Sequence, residues 1–126
     1  MSNNEKINYL EFPARDIEKT KAFFTKAFNW SFTDFGPDYT AFNNEGINGG
    51  FFKSDLSCST SNGSVLTVFY STDIYATQSK IEKAGGVIIK PVYSFPGGRR
   101  FHFTDPSDNE YAVWSDKEIV FTIPPD

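Results

Sequence analysis

The sequence predicts an α+β fold of two tandem βαβββ modules whose four-stranded mixed sheets pair to enclose a cleft. Three observations carry this. The same order of elements runs through each half of the 126 residues, a repeat of about 55 residues that suits a duplicated supersecondary unit. A polar stretch with little to bury, Ser54 to Gly63 (SDLSCSTSNG), divides the halves. The 14 Phe, 6 Tyr and 2 Trp make 17% of the chain aromatic, a load that suits a packed core plus an aromatic-lined pocket. Neither sheet has enough surface to be stable alone, so the two should pair.

In the first module, residues 6–53, Leu10 and Phe12 alternate with Tyr9 and Glu11 as in a half-buried strand. Asp16 stands where an N-cap belongs. Ile17, Phe23, Phe24, Ala27 and Phe28 then recur at helical spacing, with Glu18, Lys19, Lys21 and Lys26 left for a wet face. Three short strands follow at Phe32–Phe35, Tyr39–Asn43 and Gly49–Lys53, separated by Gly36-Pro37-Asp38 and Glu45-Gly46. After the linker at 54–63, the second module (64–116) repeats the order. Val65–Tyr70 reads as a strand, and Thr72 or Asp73 caps a helix that stops at Gly85-Gly86. Strands are expected at Val87–Val92, Arg99–Thr104 and Glu110–Ser115, with Asp105–Asn109 as the last turn. Sliding the halves by about 57 residues lays Asp16 on Asp73 and Tyr9 on Leu66; near the closing hairpins a shift of about 61 lays Phe51 on Ala112. A tail, 117–126, carries Ile119, Val120, Phe121 and Ile123, which should be buried on this chain or across a subunit interface.

Composition excludes several classes of function. No apolar run approaches the ~20 residues that span a bilayer. The balance of 12 basic and 16 acidic side chains, formal charge −4, disfavours phosphate-backbone binding, so no nucleic-acid partner is expected. The start MSNNEKINYL has no basic flank before an apolar stretch, so no secretory leader is expected and the chain reads as cytoplasmic. One Cys and one His make neither an internal disulfide nor a zinc-finger-type cluster. Cys58 reads as a spectator thiol.

The helix-Gly-Gly-strand-hairpin order resembles the vicinal oxygen chelate superfamily, which includes glyoxalase I, extradiol dioxygenases and bleomycin-resistance proteins. The resemblance covers roughly residues 6–116. It is most specific at Phe103-Thr104-Asp105-Pro106, then Asn109, then Ala112-Val113-Trp114, and at Asp73-Ile74-Tyr75-Ala76 with Ile81-Glu82-Lys83-Ala84-Gly85-Gly86. It implies metal ligands on the first and last strands of each module. Tyr9, Phe51, Leu66 and Ala112 fall at those positions. None carries a carboxylate or imidazole, so no metal and no other cofactor is expected. The resemblance also implies pairing of modules between chains, hence a homodimer.

If Asp105–Asn109 is the turn, Thr104 opposes Glu110, Phe103 opposes Tyr111, His102 opposes Ala112 and Arg100 opposes Trp114. Opposed residues share a face. Phe101, Phe103, Tyr111 and Val113 then belong under a helix, while Arg100, His102, Thr104, Glu110, Ala112 and Trp114 line the cleft. Leu10 and Phe12 go under the first helix, Tyr9 and Glu11 into the cleft, and Leu66, Val68 and Tyr70 face in from the fifth strand.

The expected ligand-binding set is therefore Tyr9, Glu11, Phe51, Leu66, Val68, Arg100, His102, Ala112 and Trp114. His102 is either a hydrogen-bonding or acid–base group in the pocket or a structural histidine satisfied by a carbonyl or by Glu11. Glu11 is either a cation-recognising or basic carboxylate or a strand carboxylate paired with Arg100. A weaker metal set would use Glu11, His102 and Glu110. Gly97-Gly98-Arg99-Arg100 reads as an anion cradle or as a plain hairpin turn. Tyr9 and Trp114 either stack on a flat ligand or fill the core. The leading expectation is a metal-free domain that binds a small organic molecule. The alternatives are a metal-independent isomerase or lyase acting on a small carbonyl compound through Glu11 or His102, and an assembly module with a collapsed cleft. The sequence does not identify the ligand.

Overall fold

A computed structural model describes residues 2–117. The first module runs β1 (Tyr9–Ala14), α1 (Ile17–Phe28), β2 (Thr33–Asp34), β3 (Tyr39–Phe42) and β4 (Asn48–Lys53). The second runs β5 (Thr67–Tyr70), α2 (Ile74–Lys83), β6 (Val87–Phe95), β7 (Gly98–Thr104) and β8 (Glu110–Ser115). Each module is a four-stranded mixed sheet, ordered β1-β4-β3-β2 and β5-β8-β7-β6, with one parallel pair (β1 with β4, β5 with β8). Of the expected tail only Lys117 falls within the described residues; Ile119, Val120, Phe121 and Ile123 lie outside them.

Both helices start on the predicted aspartates. The Asp16 carboxylate accepts from the Lys19 amide and Asp73 from the Ala76 amide, each satisfying an amide that the first helical turn leaves orphaned, worth about 1 kcal/mol. Asn29 closes α1 in the left-handed conformation, φ 61°, a position that tolerates Asn because its short side chain costs little there.

The closing hairpin pairs as the alternation requires: Thr104 with Glu110, Phe103 with Tyr111, His102 with Ala112 and Arg100 with Trp114. Three strands differ in length by two residues or more. β6 continues through Pro91 to Phe95 instead of stopping at Val92, because β6 is an edge strand, where a missing N–H costs no ladder bond. The register shifts on both sides of Lys90 absorb the irregularity, and Pro96-Gly97 turns the chain into β7. β2 shrinks to Thr33–Asp34, since Phe32 leaves the strand to pack on the core. β5 begins at Thr67, leaving Val65 in solvent.

One side chain lies on the other face from that expected. β1 and β4 are in register at Phe12↔Phe51, so Phe51 shares the helix side with Phe12 and is fully buried. The β4 residue beside Glu11 is Gly50. A slip of one residue reverses every side chain of a strand, and the observed registers lay Gly50, not Phe51, on Ala112, one residue from the expected match.

The linker is docked. A single 3-10 turn, Thr60–Asn62, is capped by Ser59. The Cys58 amide donates to Asn109 Oδ1 (2.8 Å), and the Glu110 amide donates to the Cys58 carbonyl (2.7 Å).

The modules share one core, built from the helix side of both sheets. Phe12 meets Tyr111, Phe23 meets Phe103, Phe24 meets both Phe51 and Tyr111, and Phe28 meets Phe69. The sheets therefore do pair around a partly open cavity of about 220 Å³. Its walls are Leu10, Phe12 and Phe51 from the first sheet and Val68, Phe69 and Tyr111 from the second; most of these belong to the helix side, and of the expected ligand-binding residues Phe51 and Val68 border it. Among the described residues, no helix is long and apolar enough to cross a membrane.

Candidate functional site

The expected cleft residues occupy the two helix-free sheet faces. On the first sheet, Tyr9 and Glu11 stand beside Asn48 and Gly50. A Cβ on Gly50 would run into the Tyr39 ring, so glycine is what lets that phenol lie across the strand. The Tyr39 and Tyr9 hydroxyls are 2.5 Å apart. Burial first, and then the Tyr9 hydroxyl and the Glu11 carboxylate, hold the Tyr39 phenol protonated well above its ordinary range. Glu11 itself is exposed, and no ion pair joins it to Arg100 among the described residues.

On the second sheet the residues converge further. Glu110 is 8% and His102 5% exposed, and His102 Nδ1 lies 2.7 Å from Glu110 Oε2. Glu110 Oε1 accepts from the Thr60 amide (2.8 Å) and the Thr60 hydroxyl (2.9 Å). On the far side of the imidazole, Nε2 lies 3.2 Å from the Tyr93 hydroxyl, which also accepts a short hydrogen bond from Arg100 Nε. A chain of polar groups thus runs Thr60–Glu110–His102–Tyr93–Arg100. The Arg100 guanidinium and Lys90 ammonium both approach the Tyr93 ring, at 5.6 Å and 4.4 Å. Trp114 stands beyond Arg100, edge-on to Tyr70 at 5.2 Å and 6.4 Å from Phe95.

This chain contains two partners that the sequence did not supply. The partner of His102 is Glu110, not a carbonyl or Glu11: on one face of a hairpin the two are diagonal neighbours, close enough for long side chains to meet. Tyr93 was missed because the strand was expected to end at Val92; continuing it around Pro96-Gly97 sets Tyr93 opposite Arg100.

Burial pushes the Glu110 carboxyl up, but the Thr60 amide, the His102 ring and the Thr60 hydroxyl outweigh it, and its pKa lies below the ordinary 4.5. A carboxyl with a depressed folded pKa contributes stability that is present above its unfolded value and lost as pH falls through the folded one. Glu110→Gln should therefore cost about 1–3 kcal/mol near pH 7, with the gap to wild type closing below pH 4.5. Urea melts at several pH values check this; a gap independent of pH would mean that the carboxylate charge does not matter.

The remaining expected residues are placed as follows. Val68 and Ala112 are paired on β5 and β8. Leu66 sits just before β5, half-buried. Phe51 is in the core. No hydrogen bond, ion pair or ring contact joins the helix-free face of one sheet to that of the other among the described residues. Gly97 takes φ 115° at the β6–β7 turn, as a tight hairpin requires.

A divalent ion needs nitrogen, oxygen or sulfur donors. Tyr9 offers one phenol, already hydrogen-bonded; Leu66 and Ala112 offer none, and the fourth place belongs to Gly50. The residues at these positions do not fit a chelated ion. Among the described residues, no three His, Cys, Asp or Glu side chains are grouped to hold one, and Glu11, His102 and Glu110 are no exception.

A family model described as Glyoxalase/Bleomycin resistance protein/Dioxygenase superfamily matches residues 6–113. No curated protein matches the chain by sequence. Among solved structures, a glyoxalase-related enzyme from Fulvimarina pelagi superposes with a TM-score of 0.74 at 13% identity, over 94% of this chain and 99% of that one. A genomically encoded fosfomycin resistance protein from Listeria monocytogenes gives 0.73 at 17% identity, over 90% and 94%. A lactoylglutathione lyase from Agrobacterium tumefaciens gives 0.66 at 15%, over 88% and 93%. At these identities the likeness is one of fold.

Proposed function

From the premise that the chain belongs to the glyoxalase/bleomycin resistance protein/dioxygenase superfamily, we propose that it binds a small organic molecule without a metal ion. The ligand site is the helix-free face of the second sheet. The observation that carries this reading is the Arg100–Tyr93–His102–Glu110 chain, a set of preordered hydrogen-bonding groups on a sheet whose ligand positions hold Leu66 and Ala112. Arg100 and the Tyr93 hydroxyl offer donors, and Trp114 and Phe95 offer flat apolar surface beside them. That pairing suits a planar carboxylate or carbonyl compound. A second copy of the chain is the proposed cover, since Tyr9 (44%), Val68 (43%) and Tyr70 (48%) are large side chains left exposed on these faces.

A second reading, proton transfer on a small carbonyl compound, is favoured by one specific feature. Glu110 orients His102, and His102 Nε2 is within reach of the Tyr93 proton. The acid–base group that meets a substrate would then be Tyr93, with the buried His102 acting through it. Glu11, solvated and without a basic partner among the described residues, supports this reading less.

The two tryptophans make the test specific, because Trp114 stands on this face and Trp30 in the core between the modules. Benzoate serves as the probe. It should shift the Trp114 indole resonance and leave Trp30 unmoved, and Arg100→Met should weaken it by about tenfold, the loss of one charge-assisted contact. Dialysis of the same sample against manganese, iron, nickel and zinc should leave less than one equivalent bound, and light scattering should give the mass of two chains. One tightly held equivalent of metal, or benzoate binding that ignores Arg100, overturns the proposal; a monomer overturns its dimer part. Turnover of a carbonyl panel that vanishes in Tyr93→Phe would favour the second reading over the first.

A further inference from the structure

The cavity between the modules has a different chemistry from the helix-free face. Phe12, Phe24, Trp30, Phe42, Phe51 and Phe69 wall it, and its volume is about 220 Å³, larger than the roughly 150 Å³ apolar cavity that accommodates benzene. One carboxylate borders it: Glu45, on the β3–β4 turn. Asn44 (φ 64°) and Gly46 (φ 94°) hold left-handed backbone on either side of Glu45, which fixes the turn. Glu45 is half-buried, burial raises its pKa, and no basic side chain lies within ion-pairing distance of it among the described residues. Among the described residues, the only other ionisable group on the wall is Tyr111, whose hydroxyl is taken up by Asp105 at 2.7 Å. A more open groove shares Glu45, Trp30 and Phe69 with the cavity and runs on to Tyr70, Thr77 and Lys80.

A carboxylate half out of water with no cation is a cost the fold does not offset internally. Aromatic walls favour a cation electrostatically through the ring faces, and an empty apolar space of this size loses contacts that a guest restores. We propose that this cavity is a second binding site, for a small organic cation with a single aromatic or branched apolar body. The body lies among the rings and the ammonium pairs with Glu45 at the mouth. Lys80, farther out on the groove, disfavours a cation seated there and so sets the direction of entry, body first.

Benzylamine, benzyl alcohol and benzoate are matched in shape and differ in charge, which makes them the probes. Benzylamine should shift the Trp30 indole resonance, leave Trp114 unmoved and raise the melting temperature. It should bind about tenfold more tightly than benzyl alcohol, the order expected of one partly desolvated ion pair, and benzoate should not move Trp30 at all. Glu45→Gln, on a surface turn, should keep the fold and benzyl alcohol binding while reducing benzylamine to the alcohol's affinity. Equal binding of amine and alcohol by wild type, or a preference that survives Glu45→Gln, overturns the proposal. So does a Trp30 resonance indifferent to all three. Because the benzoate site reports through Trp114, failure at either site leaves the other standing.

Discussion

Asn109→Asp, a change of one side-chain group, should destabilise the protein by more than about 4 kcal/mol and lower its melting temperature by about 15 °C. Asn109 is fully buried, and both ends of its amide are committed. Its Nδ2 donates to the Pro13 carbonyl on β1 (2.7 Å) and to Asp105 Oδ2 (3.1 Å), while Oδ1 accepts from the Cys58 amide (2.8 Å). The one side chain therefore ties the last turn to the first strand of the other module and to the linker. A carboxylate there loses both donations, leaves the Pro13 carbonyl unpaired, and sets a second anion against Asp105. Asp105 is already strained in this sense: burial raises its pKa although Tyr111, Asn109 and Ser107 all donate to it. A group with a raised folded pKa has its contribution in full below its unfolded value of 3.8 and loses it as pH rises through the folded one. The added carboxyl of the variant obeys the same sign. The gap to wild type should thus be widest at pH 7 and narrow below pH 4. Urea midpoints at the two pH values decide it, and a loss under 1 kcal/mol at pH 7 would show that water already reaches the turn.

The same residue marks the limit of what the sequence disclosed. Asp105-Pro106-Ser107-Asp108-Asn109 announces a turn through its residue types, and the strict alternation on either side fixes the hairpin register, down to His102 opposite Ala112. Both helix starts are equally legible, because an N-cap is a local interaction within four residues. What Asn109 does beyond the turn is not local: its partners are Pro13 and Cys58, and nothing in their order along the chain brings them together. Phe51 shows the second limit. Its strand was recognised, but whether it or Gly50 faces the helix depends on one residue of loop length, and both choices look alike in a run of Gly-Gly-Phe-Phe. The third limit concerns the aromatic load. It foretold an aromatic-lined space, and such a space exists, but the side of the sheets on which the modules close is a property of two surfaces that compete, not of either one. Tyr93 escaped for a simpler reason: the strand was expected to stop at Val92, short of the Phe95 that precedes the Pro96-Gly97 turn.

Phe24→Ala should remove about 3–5 kcal/mol, a large part of the total for a domain of this size, and should do so in both modules at once. Phe24 is fully buried on α1. Its ring stacks on Trp30 at 4.7 Å, meets Phe51 at 5.3 Å and reaches across to Tyr111 on β8 at 5.7 Å. It also borders the cavity, so truncation enlarges a space already open instead of creating a small one that neighbours can fill. Relaxation is blocked because those neighbours are rings held from both sides, which places the cost toward the upper end of the range; Phe24→Leu, which keeps most of the volume, should cost less than half as much. Trp30 and Trp114 report the two modules separately, and in the variant their thermal transitions should coincide with the loss of far-ultraviolet dichroism. Four strands and one helix do not bury enough apolar surface to hold alone, so neither module keeps its structure once the shared aromatic wall is lost. A Trp30 transition well below that of Trp114 would mean instead that the second module has a sufficient core of its own, with Phe101, Phe103, Tyr111 and Val113 supporting it without α1.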